Sequence, residues 1–191
     1  MKALVFDGER AGESSLKGIR RVLEERLDSA GWEHETLDLR DLDIAPCTGC
    51  FRCWTKTPGI CVIDDVAREV TKKVVRADLL VILTPVTFGG YSSEVKKALD
   101  RSLGFLLPYF TTIKGHIHHA RRYARYPDLL AIGTAPRRDK GLEAIFRDLV
   151  HRNSLNSHSR RQLAGVIEEG ADPEVVIDRV SEMLFAMGVP V

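Results

Sequence analysis

Apolar residues fall along this chain in two alternating rhythms. Short runs rich in Val, Leu and Ile read as buried strands, and longer segments with apolar residues at helical spacing read as amphipathic helices. Strands are expected at residues 2–6, 34–39, 78–84, 128–133 and 162–167. Helices are expected at residues 15–30, from Asp64 or Asp65 as cap to Arg76, then at 93–107, 141–151 and 173–187. In the first helix Leu16, Ile19, Leu23 and Leu27 share one face, and Gly31 suits its C-terminal cap. The run Asp78 to Thr84 (DLLVILT) is apolar on both faces, as a central parallel strand must be when helices cover both sides.

This strict strand–helix alternation predicts an α/β fold. A parallel five-stranded sheet lies between two helical layers, joined by right-handed crossovers. Five strands suit the doubly wound order 2-1-3-4-5. The 191 residues fit one domain, residues 1–191. A basic, His-rich stretch at residues 111–126 reads as an inserted loop.

Composition narrows the choice of partners. A net charge of +1 offers no positive field for nucleic acid or a membrane surface. The first apolar run, Ala3 to Phe6, is too short for a leader or a membrane span, so a cytoplasmic location is expected. All four cysteines lie at residues 47–61. In a reducing compartment such a cluster points to metal, iron–sulfur or redox chemistry rather than structural disulfides.

In a doubly wound sheet ligands bind beyond the carboxyl ends of the strands, so the loops carry the functional argument. The first loop is DGERAGESS. Its helix N-terminus offers N–H groups to a phosphate, with Gly8, Arg10, Ser14 and Ser15 in place to help. Ser14 or Ser15 reads equally well as an ordinary helix cap. The loop after the third strand contains Pro85, Val86, Thr87, Phe88 and Gly89. Its proline stiffens the turn, its glycines permit close backbone approach, and Phe88 or Tyr91 can lie against a flat ring or pack in the core. Gly133 ends the fourth expected strand and Thr134 follows in the loop after it.

These loops resemble those of the NAD(P)H-dependent FMN reductase family of flavodoxin-like proteins, and within it the iron–sulfur flavoproteins. The family loop G-S-P-R-K-x-x-N/S-T, which holds the FMN phosphate, stands here as Asp7-Gly8-Glu9-Arg10-Ala11-Gly12-Glu13-Ser14-Ser15. Asp7, Glu9 and Glu13 depart from it, and three carboxylates repel a dianionic phosphate unless they point away. The second family loop, P-x-Y/T-x-G…K-x-x-x-D-R, stands as Pro85 to Gly89 with Lys97, Asp100 and Arg101 downstream, and by resemblance borders the isoalloxazine ring.

The cysteines Cys47, Cys50, Cys53 and Cys61 are spaced C-x2-C-x2-C-x7-C. That compact run suits a [4Fe–4S] cluster. Structural zinc, which favours separated C-x2-C pairs, and metal-free thiols remain alternatives. His116, His118 and His119 read as a polar rim or interface rather than a zinc site. Arg121, Arg122 and Arg125 can attract the phosphates of a nicotinamide cofactor.

The resemblance implies an FMN-dependent oxidoreductase, with NAD(P)H as co-substrate and a quinone, flavin or similar small-molecule acceptor. The flavin supplies the chemistry, so no side chain is named as catalytic. An iron–sulfur electron carrier fed by a ferredoxin-like protein and a non-redox zinc-stabilised binding module are the alternatives. A homodimer or homotetramer is implied by resemblance alone.

Overall fold

The structure is a computed structural model, and it describes residues 1–190. Strand β1 (Lys2–Asp7) leads through a nine-residue loop into α1 (Lys17–Ser29), then β2 (Glu33–Asp38). The cysteine segment follows, with one short turn of helix, α2 (Arg52–Thr55), before α3 (Ala67–Arg76) and β3 (Leu79–Pro85). Helix α4 (Ser93–Arg101) precedes β4 (Leu106–Ile113) and β5 (His116–Arg121), and β6 (Asp128–Ala135), α5 (Lys140–Asn156), β7 (Gln162–Glu168) and α6 (Pro173–Ala186) complete the chain.

The main sheet runs β2-β1-β3-β6-β7, all parallel. That is the expected flavodoxin-like order once the two extra strands are set aside. Every residue of β3 is buried because helices cover both faces. Side-chain alternation sends Ala3, Val5, Val81 and Ile132 to the layer of α1 and α6. It sends Leu4, Phe6, Ile82 and Ala131 to the layer of α3, α4 and α5.

Three expectations need correction. The stretch at residues 111–126 is not a plain loop. Most of it, with residues from 106 onward, forms the antiparallel pair β4–β5. Lys114 and Gly115 make its two-residue turn, both at positive φ (48° and 82°), the geometry that matches strand twist. The helix expected to reach residue 107 stops at Arg101. A Cβ on Gly104 would lie 3.1 Å from the Gly59 carbonyl, so the chain there must pass close to the cysteine segment instead of coiling onward. Neither candidate cap is the residue that caps α3, which is Val66; Asp65 Oδ1 accepts the Ala67 N–H at 3.0 Å from one position further back, whereas Asp64 pairs with Arg68 at 2.6 Å. Among the described residues, no helix is long and apolar enough to cross a membrane.

Candidate functional site

Three loops meet beyond the carboxyl ends of β1, β3 and β6, as the doubly wound topology dictates. Ser15 Oγ and Thr134 Oγ1 lie 3.1 Å apart and join the first loop to the end of β6. The Val86 N–H donates to the Thr134 carbonyl at 2.8 Å, and Thr87 and Gly90 exchange N–H···O bonds at 2.9 Å each. That exchange closes a tight turn with Phe88 at φ 50° and Gly89 at φ 78°. It leaves the N–H groups of Phe88 and Gly89 outside the turn's own bonding, and the Phe88 side chain is fully exposed. Tyr91 takes the other course. Its ring meets Phe146 edge-on at 5.8 Å, its hydroxyl accepts from Asn153 Nδ2 at 3.2 Å, and burial pushes its phenol up. It is a core aromatic.

The glycines serve packing of the chain on itself. A Cβ on Gly8 would lie 2.3 Å from Val95 Cγ2 and 2.8 Å from the Leu83 carbonyl. A Cβ on Gly133 would lie 2.5 Å from Val86 Cγ2, and one on Gly89 would lie 2.7 Å from Ile145 Cγ2. The downstream charges of the second loop also face elsewhere. Lys97 pairs with Glu94 at 2.7 Å, Asp100 with Lys96 at 2.5 Å, and Arg101 with Asp65.

The first loop folds around its own carboxylates. Glu9 is 5% exposed, and its Oε1 accepts the Leu16 N–H at 2.9 Å. Its own N–H goes to Asp7 Oδ1 at 3.0 Å. Asp7 Oδ2 in turn meets Arg20 Nη1 at 3.2 Å. Arg10 is tied to Glu13, and that hydrogen bond holds the Glu13 carboxyl below its ordinary range. No side chain of Ser14 or Ser15 caps α1. The corner expected to hold a phosphate does not suit one, because a carboxylate already sits at the start of α1.

The cysteine segment is anchored by a buried ion pair. Arg101, with no side-chain exposure, grips Asp65 through both terminal nitrogens at 2.6 and 2.8 Å. It also donates to the carbonyls of Ala45 at 2.7 Å and Ile63 at 3.2 Å. Burial opposes ionisation of Asp65, but the Arg101 guanidinium and the N–H groups of Ala45 and Ala67 outweigh it and hold its carboxyl down. Cys47 and Cys50 are exposed, and Cys53 and Cys61 are half-buried. Burial, and after it the neighbouring thiols of Cys61, Cys47 and Cys50, push the Cys53 thiol up. The backbone and then the side chain of Arg52, with Thr48, hold the Cys50 thiol down at about 7. Among the described residues, no three or more His, Cys, Asp or Glu side chains converge as a ligand set. The four thiols share a neighbourhood without forming a cluster cage.

The β4–β5 hairpin lies over this segment. Trp54 Nε1 donates to the Leu106 carbonyl at 3.0 Å, and its ring lies 4.6 Å from that of His119. Arg122 donates to the carbonyls of Gly104 at 2.8 Å and Leu106 at 3.3 Å, and Arg125 pairs with Asp78 at 2.8 Å. Of the three arginines read as phosphate attractors, only Arg121 is uncommitted among the described residues. A separate cavity of about 680 Å³ opens between α4 and α5. Its apolar floor is Leu80, Ile82 and Leu129, and it meets the loop after β3 at Gly90 and Tyr91. Of the residues singled out from the sequence, Cys47, Tyr91 and Asp100 line it. Neither this cavity nor the Asp65–Arg101 pair has a sequence signature, because each is assembled from segments far apart in the chain.

Comparison with known proteins agrees with this arrangement. An iron–sulfur flavoprotein of Methanocaldococcus jannaschii is 34% identical over 111 residues, 56% of this chain and 56% of that protein. One from Methanosarcina thermophila is 33% identical over 94 residues, 49% of this chain and 48% of the other. The chain thus spans about half the length of the curated relatives it matches. An NAD(P)H:quinone oxidoreductase from Methanothermobacter marburgensis superposes with a TM-score of 0.72, covering 95% of this chain and 96% of the other at 14% identity. An FMN-dependent NADH-azoreductase from Bacillus anthracis does so with a TM-score of 0.64, covering 98% of each chain at 13% identity. At such identities these structures establish a common fold. The sequence model of NADPH-dependent FMN reductases, however, matches residues 1–146, which include all three loops and the whole cysteine segment. With that match and the sheet order in agreement, the chain belongs to the NADPH-dependent FMN reductase family.

Proposed function

We propose that this protein is a flavin-dependent oxidoreductase that takes reducing equivalents from NAD(P)H and delivers them to a quinone, a flavin or a similar small acceptor. The observation that carries the reading is the meeting of three loops at the carboxyl ends of β1, β3 and β6. The Ser15–Thr134 contact and the Thr87–Gly90 turn form its walls. A bound flavin would supply hydride acceptance and electron release, chemistry that no side chain here provides.

The chain's own part is positional. The Phe88 and Gly89 N–H groups, left outside the turn's bonding, and the Thr87 side chain are donors for the polar edge of a ring. The exposed Phe88 face shields a ring from water. Packing at Gly89 against Ile145, and at Gly133 against Val86, fixes the two walls relative to the sheet. A site held by such contacts is preorganised, so little ordering cost falls on the ligand.

The test is anaerobic purification followed by absorbance and NAD(P)H oxidation. Flavin bands, or their appearance on adding flavin, together with acceptor-dependent NADH or NADPH oxidation, are expected. Protein that neither carries nor takes up a flavin overturns the reading.

A second reading adds an iron–sulfur cluster on Cys47, Cys50, Cys53 and Cys61, making the chain an electron carrier. The mutual influence of these thiols favours it. The absence of a convergent ligand set means that the segment at residues 47–61 must close around the metal. Iron retained by the wild type and lost in Cys53→Ala, with flavin unaffected, supports it. Iron-free wild-type protein after anaerobic reconstitution with iron and sulfide removes it.

A further inference from the structure

We propose that Glu9 fits this site to the flavin ring without its 5′-phosphate, so that phosphorylated and unphosphorylated flavins bind alike. The inference rests on the flavin reading above and concerns one corner of that site.

The start of a helix is where a phosphate is ordinarily held, by N–H groups and the positive end of the helix dipole. In this chain the position is filled from within. Glu9 is 5% exposed, and its carboxylate accepts the Leu16 N–H at 2.9 Å, just before the first residue of α1. The side chain is held there by its own backbone, whose N–H is fixed to Asp7 Oδ1 at 3.0 Å. Swinging the carboxylate away would leave the Leu16 N–H without its acceptor in a buried place.

The charges around it are already matched. Asp7 pairs with Arg20 and Glu13 with Arg10. Arg20 is shared with Glu24 and Asp38 as well. Lys17, the first helical residue, is exposed. A dianionic phosphate entering this corner meets a buried negative charge and no uncommitted guanidinium. The ring contacts on the other two loops involve none of these groups. They therefore serve riboflavin and FMN equally.

The test is titration of riboflavin and of FMN into the full-length protein, followed by flavin fluorescence, for the wild type, Glu9→Gln and Glu9→Ser. Glu9→Gln keeps the length and the acceptor for Leu16 while removing the charge, and circular dichroism checks that each variant is folded. The wild type is expected to bind the two flavins with Kd values within about threefold of each other. Glu9→Ser is expected to tighten FMN by about tenfold or more and to leave riboflavin within about twofold, with Glu9→Gln between. Wild-type preference for FMN of about tenfold or more overturns this inference and leaves the flavin reading standing. So does an FMN affinity that neither substitution raises. Failure of both flavins to bind any of the three proteins overturns both.

Discussion

Asp65 and Arg101 are 36 residues apart in sequence, yet their side chains form a bidentate ion pair that closes the cysteine segment onto α4. Arg101 has no exposed side-chain surface, so its charge is answered inside the protein, by Asp65, by the carbonyls of Ala45 and Ile63 and by the Cys61 side chain. Removing one partner of a buried pair leaves an uncompensated charge. Asp65→Ala is therefore expected to cost about 3–5 kcal/mol in urea denaturation, and Arg101→Met together with Asp65→Leu much less. Equal losses in the single and double variants would show that the pair is not what the structure depends on there. The pH dependence has a definite sign. Asp65 lies below its ordinary value of 3.8 in the folded protein, so its contribution is present in full above 3.8. It is lost as pH falls below that value and through the lower folded one. The stability gap between wild type and Asp65→Ala should accordingly shrink on acidification across that range. Glu9 belongs to the same scale. The sequence exposed it as a departure from the family loop and framed the question of whether it points away. Only the fold answers that its carboxylate turns inward.

Among elements, β3 was the most legible and the β4–β5 hairpin the least. A strand covered on both faces writes itself as an unbroken apolar run, and β3 does so over Leu79–Pro85. The hairpin has no comparable signature. Tyr109, Phe110 and Ile117 are exposed, its strands mix Thr and His with these residues, and a Lys-Gly turn is weaker punctuation than Asn-Gly. An isolated two-stranded pair is marginal in water, so what holds it must come from elsewhere. That support is Arg122 and Trp54 reaching the Leu106 carbonyl, Arg122 reaching Gly104, and Tyr126 donating to the Phe105 carbonyl at 2.7 Å. Arg122→Ala should therefore raise amide hydrogen exchange across β4 and β5 while β3 keeps its protection. Unchanged exchange in the hairpin would mean that its own cross-strand bonds suffice.

At the scale of the whole molecule the architecture separates structure from chemistry. Buried alternation along β1, β3 and β6 fills two cores, one under α1 and α6 and one under α3, α4 and α5. The loops at the carboxyl ends are left free to vary. A ligand that binds only the folded crevice must stabilise the whole domain by mass action. Riboflavin at about 100 times its Kd should therefore add about 2.7 kcal/mol to unfolding, read as a rise in Tm. A Tm that does not move while fluorescence reports binding would place the flavin outside the folded core's linkage.

The sequence by itself determined the class of fold, the order of the five parallel strands and the family. These follow from local periodicity and from motifs contiguous in the chain. The end of α4 at Arg101, the hairpin, the Asp65–Arg101 clamp and the inward turn of Glu9 were decided only by tertiary structure. The first three depend on which distant segment supplies a partner or denies space, and the Glu9 turn on how one irregular loop folds onto the start of α1. Pairing between segments far apart in the chain leaves no period to read, because its free energy exists only once the two surfaces have met.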